Sequence, residues 1–303
     1  MRFGWRILQR LGAFGPAVIL AVTLIIWASF LVSARAAVVQ HLGPIEIGLM
    51  RFGTATILFA PVLLRQGPLP RGMNWLDVVL IALVGGFGFV WLLSAGLNYA
   101  PVADSGVFAP SMLPVWVAGM SMVFLAEKFT RARLTGLALI MVGALAVGGY
   151  EALSNAADGR WRGHLMFLAA SGCWAAYTVR FRARGLAALP AAAMMVFWAA
   201  LAFGAAALVH GTHFSAVPWQ TIALQTMLQG VLSGFLATFT YLYCVRHFGA
   251  ATTAAYGALV PVLATFGAWM FLGEAIGLFK AFGILVVCSG VALASGAIGK
   301  RTR

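Results

Sequence analysis

Phe124-Leu125-Ala126-Glu127 and Phe271-Leu272-Gly273-Glu274 are nearly one tetrapeptide written twice, 147 residues apart. Working outward, the same shift carries Pro114 onto Pro261, Trp27 onto Trp174 and Arg35 onto Arg182. Downstream it carries Gly136 onto Gly283 and Gly143 onto Gly290. A single offset with no net gap therefore relates residues 14–126 to 161–273, the mark of a duplicated unit.

The duplicated unit belongs in a membrane. Of the 303 residues 62% are hydrophobic and 9% charged, with mean hydropathy +0.96. Soluble domains carry about 25% charged residues, and no water-soluble core hides this much apolar surface. Long unbroken apolar runs exclude a β-barrel, whose strands alternate over roughly ten residues. The expected class is an all-α polytopic membrane protein. The net charge of +13 does not point to nucleic acid, because the basic residues are scattered between apolar runs. They fit loops facing an anionic leaflet instead. Cys173, Cys244 and Cys288 are odd in number, lie in apolar runs and lack metal-ligand spacing, so they read as small buried residues.

Arg2, Arg6 and Arg10 precede an apolar stretch, and Ala34-Arg35-Ala36 imitates a cleavage site. The stretch 14–34 outruns the roughly 7–15 residues of a signal core, so it reads as the first span. Phe3, Ile7 and Leu11 suit one face of a short interfacial helix before it. Ten spans are expected. In the first half they cover 14–34, 45–64, 75–98, 102–126 and 132–151, and in the second 163–182, 190–209, 219–245, 251–273 and 278–298. The organisation is an N-terminal segment 1–13, a five-helix repeat 14–151, a linker 152–162, a second repeat 163–298 and a tail 299–303. With the N-terminus inside, 15 of the 20 Lys and Arg residues face the cytoplasm. Arg35, Arg51, Arg160, Arg162 and Lys280 do not, a bias that sets both termini inside. Five helices per repeat is an odd number, so the second copy enters from the opposite side. Inverted repeats of this kind place a substrate site near the midplane.

The chemistry expected at that midplane is aromatic and uncharged. All seven acids fall at predicted helix ends or in loops, with Asp104 read as an N-cap or interfacial group. No phosphate-binding loop is present, since Gly296 to Arg301 lacks half the pattern. His210 and His213 have no acid or cysteine nearby to complete a metal site. No cofactor or metal is expected, and no catalytic set converges. Trp5, Trp75, Trp161 and Trp219 stand at helix starts, as interfacial aromatics do. The candidate substrate contacts lie deeper: Trp27, Phe87, Trp91, Phe108, Ser111, Trp116, Trp174, Tyr177, Ser233, Phe239, Tyr243 and Tyr256. Packing or lipid contact is the alternative role for each. Pro110, Pro114, Gly257 and Pro261 are candidate hinges, because each proline leaves a carbonyl four residues earlier without its donor. A polar substrate or water can supply one.

The Trp-containing first helix of each half, Pro44 followed by Met50-Arg51-Phe52, the paired prolines, the repeated tetrapeptide and the glycine-spaced last helices occur in a familiar order. In these features the chain resembles the drug/metabolite transporter superfamily, in its ten-helix EamA branch, and within it the YddG-type amino-acid exporters. The resemblance implies export of small metabolites, here neutral or aromatic amino acids, across the cytoplasmic membrane; alternating access follows from the inverted repeat, and the short loops fit a monomer in the bilayer. Two departures stand out. Arg51 has Trp198 as its counterpart, and the membrane-embedded acid of the four-helix multidrug relatives has no equivalent here. The alternatives are a broad exporter of drugs or hydrophobic cations and a membrane enzyme or scaffold. A nucleotide-sugar carrier is disfavoured, because no Lys or Arg is expected deep in the cavity.

Overall fold

The computed structural model describes residues 15–154, 159–257, 259–273 and 275–294. The expected segments 1–13 and 299–303, and Glu274 of the repeated tetrapeptide, lie outside the described residues. The chain runs as successive helical rods with no strand among the described residues. The first five are α1 (Gly15–Val39), α2 (Pro44–Leu58 and Ala60–Gln66), α3 (Trp75–Gly96), α4 (Val102–Phe108 and Leu113–Phe124) and α5 (Arg131–Ser154). The rest are α6 (Arg160–Ala183), α7 (Ala188–His210), α8 (Trp219–Phe248), α9 (Ala250–Gly257 and Val260–Leu272) and α10 (Leu278–Ala294).

Among the described residues six rods are long and apolar enough to cross a membrane, and bent α2 makes a seventh if its two pieces count as one span. α6 carries Arg160, Arg162, Arg180 and Arg182 at its ends, and the described part of α10 is only 17 residues long.

The bends follow from the sequence. α2 turns by 63° at Phe59, just before Pro61, which cannot donate and clashes with the preceding turn. α4 breaks between Phe108 and Leu113, around Pro110 and Pro114. The Gly106 carbonyl freed there is not open to substrate, contrary to the sequence expectation. Ser111 satisfies it with both its N–H (3.3 Å) and its hydroxyl (3.1 Å). The Ala109 carbonyl accepts the Ser171 hydroxyl of α6 at 2.7 Å. α9 breaks at the matching place before Pro261.

Small residues set the closest approaches, because helices in lipid associate by packing and not by exclusion of water. A Cβ on Gly136 would lie 2.6 Å from the Gly290 carbonyl, and one on Gly143 3.0 Å from the Gly283 carbonyl. α5 and α10 therefore run antiparallel and meet reciprocally, each early glycine against the other's late one. α2 and α8 are just as close: a Cβ on Gly234 would sit 2.2 Å from the Arg51 carbonyl. Both helices widen into π turns at this contact, Leu49–Gly53 and Thr226–Ala237. Such turns recur at functional sites.

Candidate functional site

Trp27 of α1 and Trp174 of α6, equivalents under the repeat, touch edge to face with centroids 5.1 Å apart. Four more rings complete the cluster. Tyr241 of α8 lies 4.9 Å from Trp27 and 5.3 Å from Trp174. Phe89 of α3 lies 4.3 Å from Trp174 and 6.4 Å from Phe30, and Tyr177 lies 6.0 Å from Trp174. Each such pair adds about 0.5–1.5 kcal/mol beyond its burial. The Tyr241 hydroxyl is 2.7 Å from that of Thr178, whose own hydroxyl donates to the Trp174 carbonyl at 2.8 Å. These bonds hold the Tyr241 ring against both tryptophans.

A cavity of about 30 Å³ opens beside this cluster. Trp27, Phe30, Phe89 and Trp174 line it, and the α4 break contributes Ala109 and Pro110. It has room for a water or two. An amino acid requires the helices to part. The walls offer ring faces and edges, with the Ser171 hydroxyl and the irregular backbone of α4 as polar groups.

The candidates named from sequence divide. Trp27 and Trp174 line the cavity, and Tyr177 joins their cluster. Phe87 and Trp91 turn away from it: they pack on Phe203 of α7, at 4.6 and 6.2 Å, while Phe89 and Leu93 of the same helix line the cavity. Phe108 stacks on His164 at 4.6 Å, away from the tryptophans. Ser111 caps Gly106, and Trp116 is 41% exposed over Gly172. Ser233 is fully buried on α8, Tyr243 stacks on His247 at 6.0 Å, and Phe239 and Tyr256 are half-buried. Of the hinge candidates, Pro110 lines the cavity, a Cβ on Gly257 would meet Trp27 at 3.3 Å, Pro261 meets Gly106, and Pro114 starts the second piece of α4. Phe30, Phe89 and Tyr241 were missed.

Charge lies deeper than the sequence suggested. Arg51, counted among the outward-facing basic residues, is 2% exposed within α2. Its Cζ lies 4.4 Å over the Phe30 ring and 5.6 Å from the Phe52 ring, and its Nε and Nη1 are buried without hydrogen-bond partners. Cation–π contacts give about 0.5–2 kcal/mol, whereas desolvating an ion costs several. The rings alone do not offset that cost. Asp104 is not an N-cap. Pro101 holds that position, and Asp104, fully buried, meets His164 Nε2 at 3.0 Å. Asp77 caps the start of α3 with Asn74 and accepts Arg180 Nε at 2.7 Å, with Arg184 Nε at 3.5 Å. α6 is thus tied at its first turn to α4 and at its last turns to α3. Glu46, also buried, accepts the Gly43 and His213 N–H groups at 2.8 and 2.7 Å. The three acids do sit at helix starts, but inside the protein.

Comparison with known proteins follows this geometry. The profile of the EamA-like transporter family matches the chain twice, over residues 14–149 and 161–296. An uncharacterized transporter of Bacillus subtilis (strain 168), YyaM, is 26% identical over 86% of this chain and 87% of its own length. A probable terminal-alkyne amino-acid exporter of Streptantibioticus cattleyicolor is 28% identical over 84% of each chain. A protein of known crystal structure superposes with TM-score 0.64 over 93% of this chain and 98% of its own, at 18% identity, which is a likeness of fold. The chain belongs to the EamA-like transporter family: it is a multi-pass membrane transporter and not an enzyme.

Proposed function

We propose that the protein exports neutral, chiefly aromatic, amino acids across the cytoplasmic membrane by alternating access. The observation that carries this reading is the cavity walled by two repeat-equivalent tryptophans. Ring faces at that place stack on an aromatic or apolar side chain. The similarity to a relative described as a probable amino-acid exporter supports the same substrate class. The frame we propose has ten spans in two inverted units, 14–151 and 163–298, with both termini cytoplasmic and the monomer as the working form. The reciprocal glycine contact of α5 and α10 supports the inversion, since two equivalent helices related by a two-fold axis pair antiparallel.

In this reading the α6 ties work as end clamps. The Asp104–His164 contact closes the outer end, and the Asp77–Arg180–Arg184 cluster closes the inner end. Transport alternates their release, while Pro110 and Pro261 let α4 and α9 bend around the cavity. The test is counterflow of labelled tryptophan, phenylalanine and threonine in proteoliposomes. Saturable exchange is expected, falling sharply in Trp174→Ala. Normal exchange by both Trp174→Ala and Tyr256→Ala would remove the proposed site.

A further inference from the structure

We propose that Arg51 is the receptor for the substrate's carboxylate, so that the transporter selects solutes bearing that group. This rests on the amino-acid reading and specifies how the polar end of the substrate is held. Arg51 is buried on α2, its Nε and Nη1 have no hydrogen-bond partner, and it forms no ion pair among the described residues. A guanidinium keeps its charge in proteins and presents its donors in a fork that matches a carboxylate. In the membrane interior such a group is conserved for a ligand or a counter-ion, because its uncompensated burial is costly.

The position of the charge favours the substrate as that counter-ion. Arg51 sits over the Phe30 ring, and Phe30 is itself a wall of the cavity. The charge is therefore about one ring away from the space between Trp27 and Trp174. The surrounding polar atoms are also unused. Tyr177 Oη, within electrostatic reach of Arg51, is buried without a partner. On α8, Ser233 Oγ and Gln229 Oε1 are likewise buried and unpartnered. Gln229 Nε2 donates to Ser33 Oγ at 2.8 Å, and Ser33 lies one turn along α1 from Phe30. Gly234, next to Ser233, packs on the Arg51 carbonyl. The orphan donors of Arg51 thus lie over Phe30, a wall of the cavity, and the orphan acceptors belong to α8, the helix packed on the Arg51 backbone. That arrangement suits a zwitterion, with its carboxylate on Arg51, its ammonium toward Gln229 and Ser233, and its side chain against the tryptophans. The second repeat has Trp198 at the equivalent position, so the carboxylate is held by the first repeat alone.

The test is counterflow with purified protein and three probes: tryptophan, tryptamine, which lacks the carboxylate, and indole-3-propionate, which lacks the ammonium. Wild-type protein is expected to exchange tryptophan at least about tenfold faster than tryptamine, as loss of a charge-assisted bond implies. Indole-3-propionate is expected to compete. In Arg51→Met, tryptophan exchange falls by a similar factor and the preference over tryptamine disappears, whereas Arg51→Lys keeps part of it. An unfolding temperature at or above wild type in Arg51→Met separates a ligand role from a packing role, since removing an unpaired buried charge does not weaken the fold. If Arg51→Met does not fold, Arg51→Lys and the wild-type preference decide. Three results overturn the proposal: equal wild-type exchange of tryptophan and tryptamine, no competition by indole-3-propionate, or an unchanged preference in a folded Arg51 variant. The first two leave amino-acid transport standing. No exchange of any probe by wild type removes the amino-acid reading and this inference together.

Discussion

The two copies of the repeat agree in their frame and differ in their charges. At 126 and 273 both copies take the left-handed conformation that ends a helix, with φ +51° at Ala126 and +68° at Gly273. At 27 and 174 both present a tryptophan to the centre, and at 136 and 283, as at 143 and 290, both strip the side chain where α5 meets α10. Arg35 and Glu127 recur as Arg182 and Glu274, but the buried charges Arg51, Asp77 and Asp104 do not follow the shift. Arg51 is buried beside Phe30, while its equivalent Trp198 bonds the Pro68 carbonyl at 2.9 Å and packs on Trp75 at 5.3 Å. Asp104 corresponds to Ala251, and Asp77 to Leu224. Duplication supplies a two-fold scaffold able to rock, and single-copy charges give it a direction and a polar end.

The largest effects should come from breaking the shared centre. Trp174 contacts four rings and Trp27 two. Trp174→Ala should cost about 3–5 kcal/mol, Trp27→Ala less, and both should nearly stop counterflow. Thermal unfolding in detergent and exchange assays check this, and the reverse ranking would mean that ring contacts do not set the hold on the centre. Next come the paired glycines. Gly136→Leu and Gly290→Leu should each cost about 1–3 kcal/mol by overpacking, because the nearest atoms are backbone. Gly53→Ala, with nothing within 4 Å, serves as the near-neutral control. A single-copy charge ranks third: Asp77→Ala, which removes two arginine contacts and the cap, should cost about 1–3 kcal/mol. The smallest effect sharpens the comparison at the helix ends. Ala126→Gly should stabilise the fold and Gly273→Ala destabilise it, each by about 1 kcal/mol and read as a rise and a fall in unfolding temperature, because only glycine takes this conformation without strain.

Much of this frame could be read from the sequence because it depends on local chemistry: proline at a break, glycine at a close contact, a repeat offset. Trp27 and Trp174 were legible as deep tryptophans in matching places. What escaped depends on register and long range. Phe89 and Leu93 face the cavity and Phe87 and Trp91 face α7, because two residues are about 200° apart on a helix. Composition alone does not choose between those faces. Arg51 was counted among the outward-facing charges because it lies near the start of the predicted span 45–64. Its place well inside an apolar stretch, Leu49-Met50-Arg51-Phe52, was the available signal. The Asp104–His164 pair spans 60 residues, and no local pattern announces it.

The central claim is that a substrate amino acid binds between the copies, against Trp27 and Trp174. Its most direct test is the unfolding temperature of purified protein with and without millimolar tryptophan, in wild type and in Trp174→Phe, which keeps an aromatic wall of smaller area. The account predicts a concentration-dependent rise in wild type and a smaller one in Trp174→Phe. An equal rise in both, or none in wild type, would contradict it.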